Sequence, residues 1–336
     1  MSMKYWINQA KYDGNFFLES VMISCGLKKE LSQKAFFAKQ KYYENLSIEH
    51  YEEELGKWYE LAQGKACNFN NPIRFTEKIQ WLKLYDSTIQ KARLADKYRV
   101  REWVKAEIGE QYLIPLLGVW DSFDDIKFDE LPSRFVLKCN HGAKMNIIVK
   151  DKNKFDKVEA KNKIDFWLKQ DFGICDGTFQ LQYSLIHRKI VAEKFMVEDE
   201  GKDLKDYKFF CFNGEPKYCQ VISERTENES VDFFDMKWNH LSFTGMVCFK
   251  NSDVPIEKPV TFELMVDFAR QLSSEFAFVR VDFYEVNGEL YFGEMTFTPA
   301  SGMGHFKPCE MDETMGQMIV LPEKKSIPVL KKKYNY

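Results

Sequence analysis

The chain has 336 residues, 45% of them hydrophobic and 29% charged, with a formal net charge of −3. That length exceeds what one hydrophobic core usually organises, so two or three lobes are expected, and the near-neutral charge argues against broad nucleic-acid affinity. Aromatic residues make up 15%, with 29 Phe and 16 Tyr; thick cores rather than sugar-stacking surfaces are their expected use.

The cysteines Cys25, Cys67, Cys139, Cys175, Cys211, Cys219, Cys248 and Cys309 contain no CxxC pair, and the five histidines are dispersed, so no zinc pattern is present. With no signal-peptide pattern and no apolar run of membrane-spanning length, reduced thiols in a soluble cytoplasmic chain are the simplest reading.

Taken in order, residues 1 to about 65 read as amphipathic helix through Phe16, Phe17, Val21 and Met22, then Phe36, Phe37, Tyr42 and Tyr43. A helical lobe packed on the main domain is expected, the alternative being a docking or membrane-proximal arm. Asn68, Asn70, Asn71 and Pro72 mark a boundary. A helix follows with Ile79, Trp81, Leu82 and Leu84 apolar and Thr76 as its N-cap, and residues 92–108 read as one further helix. Residues 113–119 and 135–139 read as strands, parted by an acidic loop and a turn at Pro132.

The second of these strands delivers Lys138 into a turn at Asn140, His141 and Gly142, with another strand at 146–150. A lysine charge beside backbone amides of a small turn can clamp a polyphosphate, although neither GxxxxGK[ST] nor GxGxxG is present. Residues 152–171 read as helix. Residues 188–196 read as a strand ending in Glu193, Lys194 and Phe195, able to offer backbone groups to an adenine ring. In a strand over 203–213, Asp206 and Lys208 share a face.

Two apolar runs then flank Val286-Asn287-Gly288 and predict a hairpin. A two-residue Asn-Gly turn would place Asp282 and Glu294 on opposite faces, whereas a three-residue loop with Gly288 left-handed puts even-numbered positions of both strands on one face. On the second register Arg280, Asp282, Glu294 and Thr296 converge, with Val279, Val281 and Phe283 facing a packed layer behind. Two carboxylates near a guanidinium can hold one or two Mg²⁺ ions while leaving sites for phosphate oxygens, and the arginine can meet charge on a transferring group.

The strand lysine, the small turn, the Ala-Glu-Lys-Phe hinge and the Arg-Val-Asp and Gly-Glu-x-Thr-x-x-Pro pieces of the hairpin together resemble the ATP-grasp superfamily. FTEKIQWLKLYD, FVLKCNHG, DLKDYKFFCFNGEPK and FVRVDFYEVNGELYFGEMTFTPASG narrow this to a resemblance to the TupA-like ATP-grasp family of bacterial surface-polysaccharide synthesis. The resemblance implies an α+β fold in which two subdomains clasp ATP behind a helical N-terminal lobe. Its implied divisions are 1–70, 71–190, 191–320 with the metal-binding hairpin, and a basic tail at 321–336.

By the same resemblance, Lys138 and Lys194 match the nucleotide-binding lysines and Glu193 begins the adenine hinge. His141, Gly142 and Lys144 form the loop over the phosphates, mobile and water-excluding near 141–146, and Asp206 and Lys208 join the nucleotide site. Asp282, Glu294 and Thr296 match the Mg²⁺ ligands, threonine standing where many relatives have asparagine, and Arg280 is the catalytic arginine. The implied reaction is Mg²⁺- and ATP-dependent ligation of a carboxylate to an amine through an acyl phosphate, decorating a sugar or glycan with an amino acid or related group. A kinase of a glycan hydroxyl and a nucleotide-binding scaffold are the alternatives. The partners implied are ATP and these substrates, with association with polysaccharide-assembly proteins at the membrane allowed.

Overall fold

The computed structural model describes residues 32–197, 204–223, 229–246 and 250–328. Phe16, Phe17, Val21, Met22, Cys25, Cys248 and the last residues of the basic tail lie outside them. The described helices are α1 (Gln33–Asn45), α2 (Tyr51–Gln63), α3 (Phe75–Tyr85), α4 (Ile89–Ala95), α5 (Val100–Glu107), α6 (Lys157–Leu168), α7 (Leu181–Ser184), α8 (Phe262–Ser273) and α9 (Met311–Gln317). The strands are β1 (Leu116–Trp120), β2 (Phe135–Cys139), β3 (Asn146–Val149), β4 (Ile190–Lys194), β5 (Asp206–Phe212), β6 (Glu215–Ser223), β7 (Ser230–Phe234), β8 (His240–Leu241), β9 (Thr244–Gly245), β10 (Phe278–Val286), β11 (Glu289–Thr296) and β12 (Phe306–Lys307). They form a four-stranded sheet in the order β1-β4-β2-β3, a six-stranded sheet in the order β11-β10-β5-β6-β7-β8, and a ribbon of β9 and β12.

Alternation along the strands assigns each sheet face its task. On the odd-numbered face of β5 and β10, Phe209, Val279, Val281 and Phe283 pack under Phe262, Met265 and Ala269 of α8. The even-numbered face is divided along its length. Phe210, Phe212 and Phe278 meet Phe75 of α3, whose ring is 4.9 Å from that of Phe278, while further along the same strands the even positions are Asp206, Lys208, Arg280 and Asp282. The phenylalanines thus serve as core. A third cluster joins α6 to the four-stranded sheet through Ala160, Ile164, Phe135 and Leu137. The helical region before residue 70 packs on this body: Phe36 and Phe37 of α1 lie edge-on to Phe166 of α6 at 5.3 and 5.5 Å.

Three local expectations are corrected. Thr76 is not the N-cap of α3. The helix starts at Phe75 behind Arg74, where the Glu77 carboxylate accepts the Ile73 and Arg74 amides at 3.0 and 3.1 Å. Thr76 instead donates its hydroxyl to Asp312 Oδ2 at 2.8 Å. The helix expected over 92–108 is two, α4 and α5, because Asp96 Oδ1 accepts the amides of Tyr98 and Arg99 at 2.8 and 3.2 Å and restarts the chain in a new direction. The helix expected over 152–171 begins only at Lys157, where Asp156 Oδ1 caps Val158 and Glu159.

The hairpin turn is also corrected. Val286 pairs with Glu289, so the loop has two residues, Asn287 at φ 53° and Gly288 at φ 78°, as the right-handed twist of the strands favours. Even so, Asp282 is paired with Glu294 and Arg280 with Thr296, because the register shifts between Asp282 and Phe283. Phe283 pairs with Phe292, which leaves Gly293 as a bulge. That one unpaired residue brings the two carboxylates to a common face. A β-carbon there would lie 3.0 Å from both the Asp282 carbonyl oxygen and Tyr284 Cε2. Gly293→Ala should therefore cost about 1–3 kcal/mol through overpacking, read as a lower denaturant midpoint; an unchanged midpoint would show that the bulge has room.

Candidate active site

The centre of the charged face is Arg280. Its Nε and Nη2 donate to the two oxygens of Asp282 at 2.7 Å each, and Nη2 also reaches Glu294 Oε1 at 3.1 Å and Thr296 Oγ1 at 3.0 Å. Thr296 donates to Glu294 Oε1 at 3.1 Å. From β5, Lys208 Nζ donates to Asp282 Oδ2 at 2.5 Å and lies 3.6 Å from Asp206 Oδ1. The sheet thus brings together Arg280, Asp282, Glu294, Thr296, Asp206 and Lys208.

Lys97 completes the cluster, and sequence reasoning missed it. It sits where Asp96 breaks the chain between α4 and α5, with Nζ 3.4 Å from Glu294 Oε2 and donating to the Gly142 carbonyl at 2.8 Å. It therefore ties the turn after β2 to the hairpin. The signal that could have found it is Asp96 itself, a strong N-cap residue inside what otherwise reads as one helix.

That turn is more tightly held than a mobile cover. His141 is fully buried, and its Nε2 donates to the Trp167 carbonyl at 3.1 Å, so its ring serves the interior. Burial, with Arg188 nearby, pulls its imidazole down to about 4. Cys139 N donates to Met145 O at 2.9 Å across the turn, and a β-carbon on Gly142 would stand 2.8 Å from Phe172. Lys144 is exposed, with a left-handed backbone at φ 59°.

On the four-stranded sheet, Lys138 Nζ donates to Glu193 Oε2 at 2.5 Å, and Arg101 Nη1 lies 3.6 Å from Glu193 Oε1. Sequence reasoning did not single out Arg101. Lys194 is exposed at the end of β4, its amide donating to the Pro115 carbonyl at 3.0 Å. Burial pushes the thiols of Cys139 and Cys211 up to about 12, so neither is poised as a nucleophile.

Burial by itself would raise the Glu294 carboxyl, but Lys97, Arg280 and Lys208 hold it well below the usual carboxylate range. For Arg280, burial works against its charge and Asp282 more than restores it, raising the guanidinium above its ordinary value. Both groups are ionised at neutral pH. Two carboxylates with a threonine hydroxyl are hard oxygen donors, too few to fill the six positions Mg²⁺ prefers, so the set fits an ion completed by phosphate oxygens and water. Binding there would compete with Arg280, Lys208 and Lys97 for the same oxygens.

Asp282→Asn should leave Arg280 and Lys208 buried without adequate countercharge and cost about 3–5 kcal/mol; urea unfolding that matches the parent protein would refute this. Two of these groups make stability fall in acid. His141 is depressed from 6.5 to about 4 when folded, so the unfolded chain takes up the proton first, and stability falls as pH drops from 6.5 towards 4. Glu294 is also depressed, so its contribution is present above the unfolded value of about 4.3 and is lost below it. His141→Gln should flatten the upper step of a pH–stability curve, and a slope unchanged by the substitution would exclude His141 as its source.

A family model for TupA-like ATP-grasp proteins matches residues 77–320. A search of curated proteins finds no match. Among solved structures, the chain is similar to the D-alanine–D-alanine ligase of Bacillus anthracis complexed with ATP, at 16% identity over 61% of this chain and 53% of that one, TM-score 0.36. It is similar to the D-alanine–D-alanine ligase of Coxiella burnetii at 11% over 72% and 58%, TM-score 0.39. It is also similar to the N5-carboxyaminoimidazole ribonucleotide synthetase of Thermus thermophilus at 12% over 61% and 45%, TM-score 0.35. The chain spans about half the length of these three structures. The family match takes in every residue of the charged face described above, and on that match the chain belongs to the TupA-like ATP-grasp family, a fold of mixed helices and antiparallel sheets.

Proposed function

We propose that the protein is an Mg²⁺- and ATP-dependent carboxylate–amine ligase that joins an amino acid or related group to a sugar or glycan during surface-polysaccharide synthesis in the cytoplasm. The observation that carries this reading is the convergence of Arg280, Asp282, Glu294 and Thr296 on one sheet face, within a chain of this family. Among the described residues no helix is long and apolar enough to cross a membrane.

In this reading Asp282, Glu294 and Thr296 hold Mg²⁺, which when bound neutralises phosphate charge. Lys138 and Lys194 hold the nucleotide, with Glu193 at the start of the adenine hinge. Arg280, fixed by Asp282, presents a preorganised cation to the transferring phosphoryl group and then to the acyl phosphate, costing little reorganisation as charge develops. Lys97 links the clamp turn to Glu294 and is placed to sense both.

The test supplies purified protein with Mg²⁺, ATP, a panel of amino acids and uronic acids, and hydroxylamine as nucleophile. Hydroxamate with stoichiometric ADP and phosphate supports the ligase. A stable phosphoester on an added glycan would replace it with a kinase, and nucleotide binding without turnover with a scaffold. Lys138→Met should weaken ATP binding by about 10–100-fold, the value of a charge-assisted hydrogen bond; calorimetry showing unchanged affinity would remove Lys138 from the clamp.

A further inference from the structure

Lys83 of α3 is fully buried. Its Nζ donates to Gln80 Oε1 at 2.8 Å and to Ser301 Oγ at 2.9 Å, and both partners are neutral. Among the described residues no carboxylate enters that hydrogen-bond shell, and a buried ammonium so placed is costly, which favours the neutral amine. Ser301 lies in the turn that follows β11, where Ala300, Ser301 and Gly302 have φ of 46°, 55° and 62°. Such a left-handed run strains the two non-glycine residues, and strain of this kind gathers at functional sites. Gln80 holds the turn, its Nε2 donating to the carbonyls of Ser301 at 3.3 Å and Gly302 at 2.8 Å.

The turn is tied to the charged face. Gln182 of α7 donates to Thr298 Oγ1 at 3.1 Å, and the next residue, Tyr183, is buried within the field of Glu294, Arg280 and Asp282. Ser301 itself is only half-buried. An inner lysine behind a more open serine, on a strained turn at the end of the metal-site strand, is the arrangement of a proton relay.

We propose that Ser301, backed by Lys83, takes the proton of the acceptor amine in the second half-reaction. This rests on the ligase reading above. As the amine nitrogen bonds to the acyl carbon, the carbon–oxygen bond to phosphate breaks and phosphate leaves with the electron pair. The amine proton passes to Ser301 Oγ, whose own proton passes to neutral Lys83 Nζ along the 2.9 Å contact, and Lys83 returns it to solvent after product release. Ser301 is the group that touches the acceptor, and Lys83 acts through it. Burial pulls Lys83 down to about 7, against Asp176 and Cys67, the titratable groups that face it, so it is partly neutral at working pH.

Two measurements test this. In protein carrying lysine labelled with ¹³C at Cε, one signal should titrate at about pH 7, vanish in Lys83→Met and move to lower pH in Ser301→Ala, which loses an acceptor for the charged form. No lysine titrating there overturns the proposal whatever the substrate, and Ser301→Ala suffices if Lys83→Met does not fold. With the carboxylate that yields hydroxamate, Ser301→Ala should slow transfer to a protonated amine acceptor by about 10²–10⁴-fold. It should also abolish the acid limb of kcat near pH 7 while leaving hydroxamate formation, which needs no base, within a few-fold. Equal loss of both reactions would make Ser301 structural and overturn the relay. Absence of hydroxamate from the parent protein would instead overturn the ligase reading, leaving the ¹³C titration to decide whether Lys83 is poised as proposed.

Discussion

The bidentate grip of Arg280 on Asp282 is the contact on which the rest of the candidate site depends. Asp282 is 1% exposed, and a carboxylate so deep is tolerable only when its charge is met. The guanidinium meets it with two hydrogen bonds, its Nη2 also reaching Glu294 and Thr296, and Lys208 meets Oδ2 from the neighbouring strand. Three cations, Lys97, Lys208 and Arg280, thus face three carboxylates, Asp206, Asp282 and Glu294. A cluster balanced in this way can admit a cation and an anion together more readily than either alone, which suits a metal that arrives with a polyphosphate.

Such a cluster needs a rigid base. The strands that carry it bury their other face against α8 through side chains such as Phe209, Val279, Val281 and Phe283, each contributing roughly 1.5–3 kcal/mol on burial. On the charged side, the aromatic block of Phe75, Phe210, Phe212 and Phe278 begins where the ions end. Water is therefore excluded from one end of the face, which strengthens electrostatic interactions there.

Much of this was legible in the sequence, and the failures have physical causes. The alternation of Val279, Val281 and Phe283 with Arg280 and Asp282 is a period-2 pattern, visible at once. The convergence of the carboxylates was inferred correctly but for the wrong reason. The Asn-Gly turn is the short type its sequence favours, and the register is restored by a bulge at Gly293, which nothing local in Phe292-Gly293-Glu294 distinguishes from an ordinary strand glycine. The burial of the His141 ring was not legible locally, because only the packing of α6 turns it inward to Trp167. Lys97 was invisible because its role depends on two contacts far away in sequence, Gly142 and Glu294.

Those same two contacts constrain how the site can move. The turn after β2 is pinned by its own Cys139–Met145 hydrogen bond and by the His141 ring, and the backbone of Lys97 is bound to Asn140 O at 3.2 Å. A local flap of Gly142 would break the Lys97 hydrogen bond to its carbonyl or drag the lysine away from Glu294. Displacement of that turn and release of the Glu294 carboxylate are therefore coupled through one side chain. Lys97 also sits at the restart of the chain between α4 and α5, fixed by Asp96, so it is held between two helix ends rather than on a free loop.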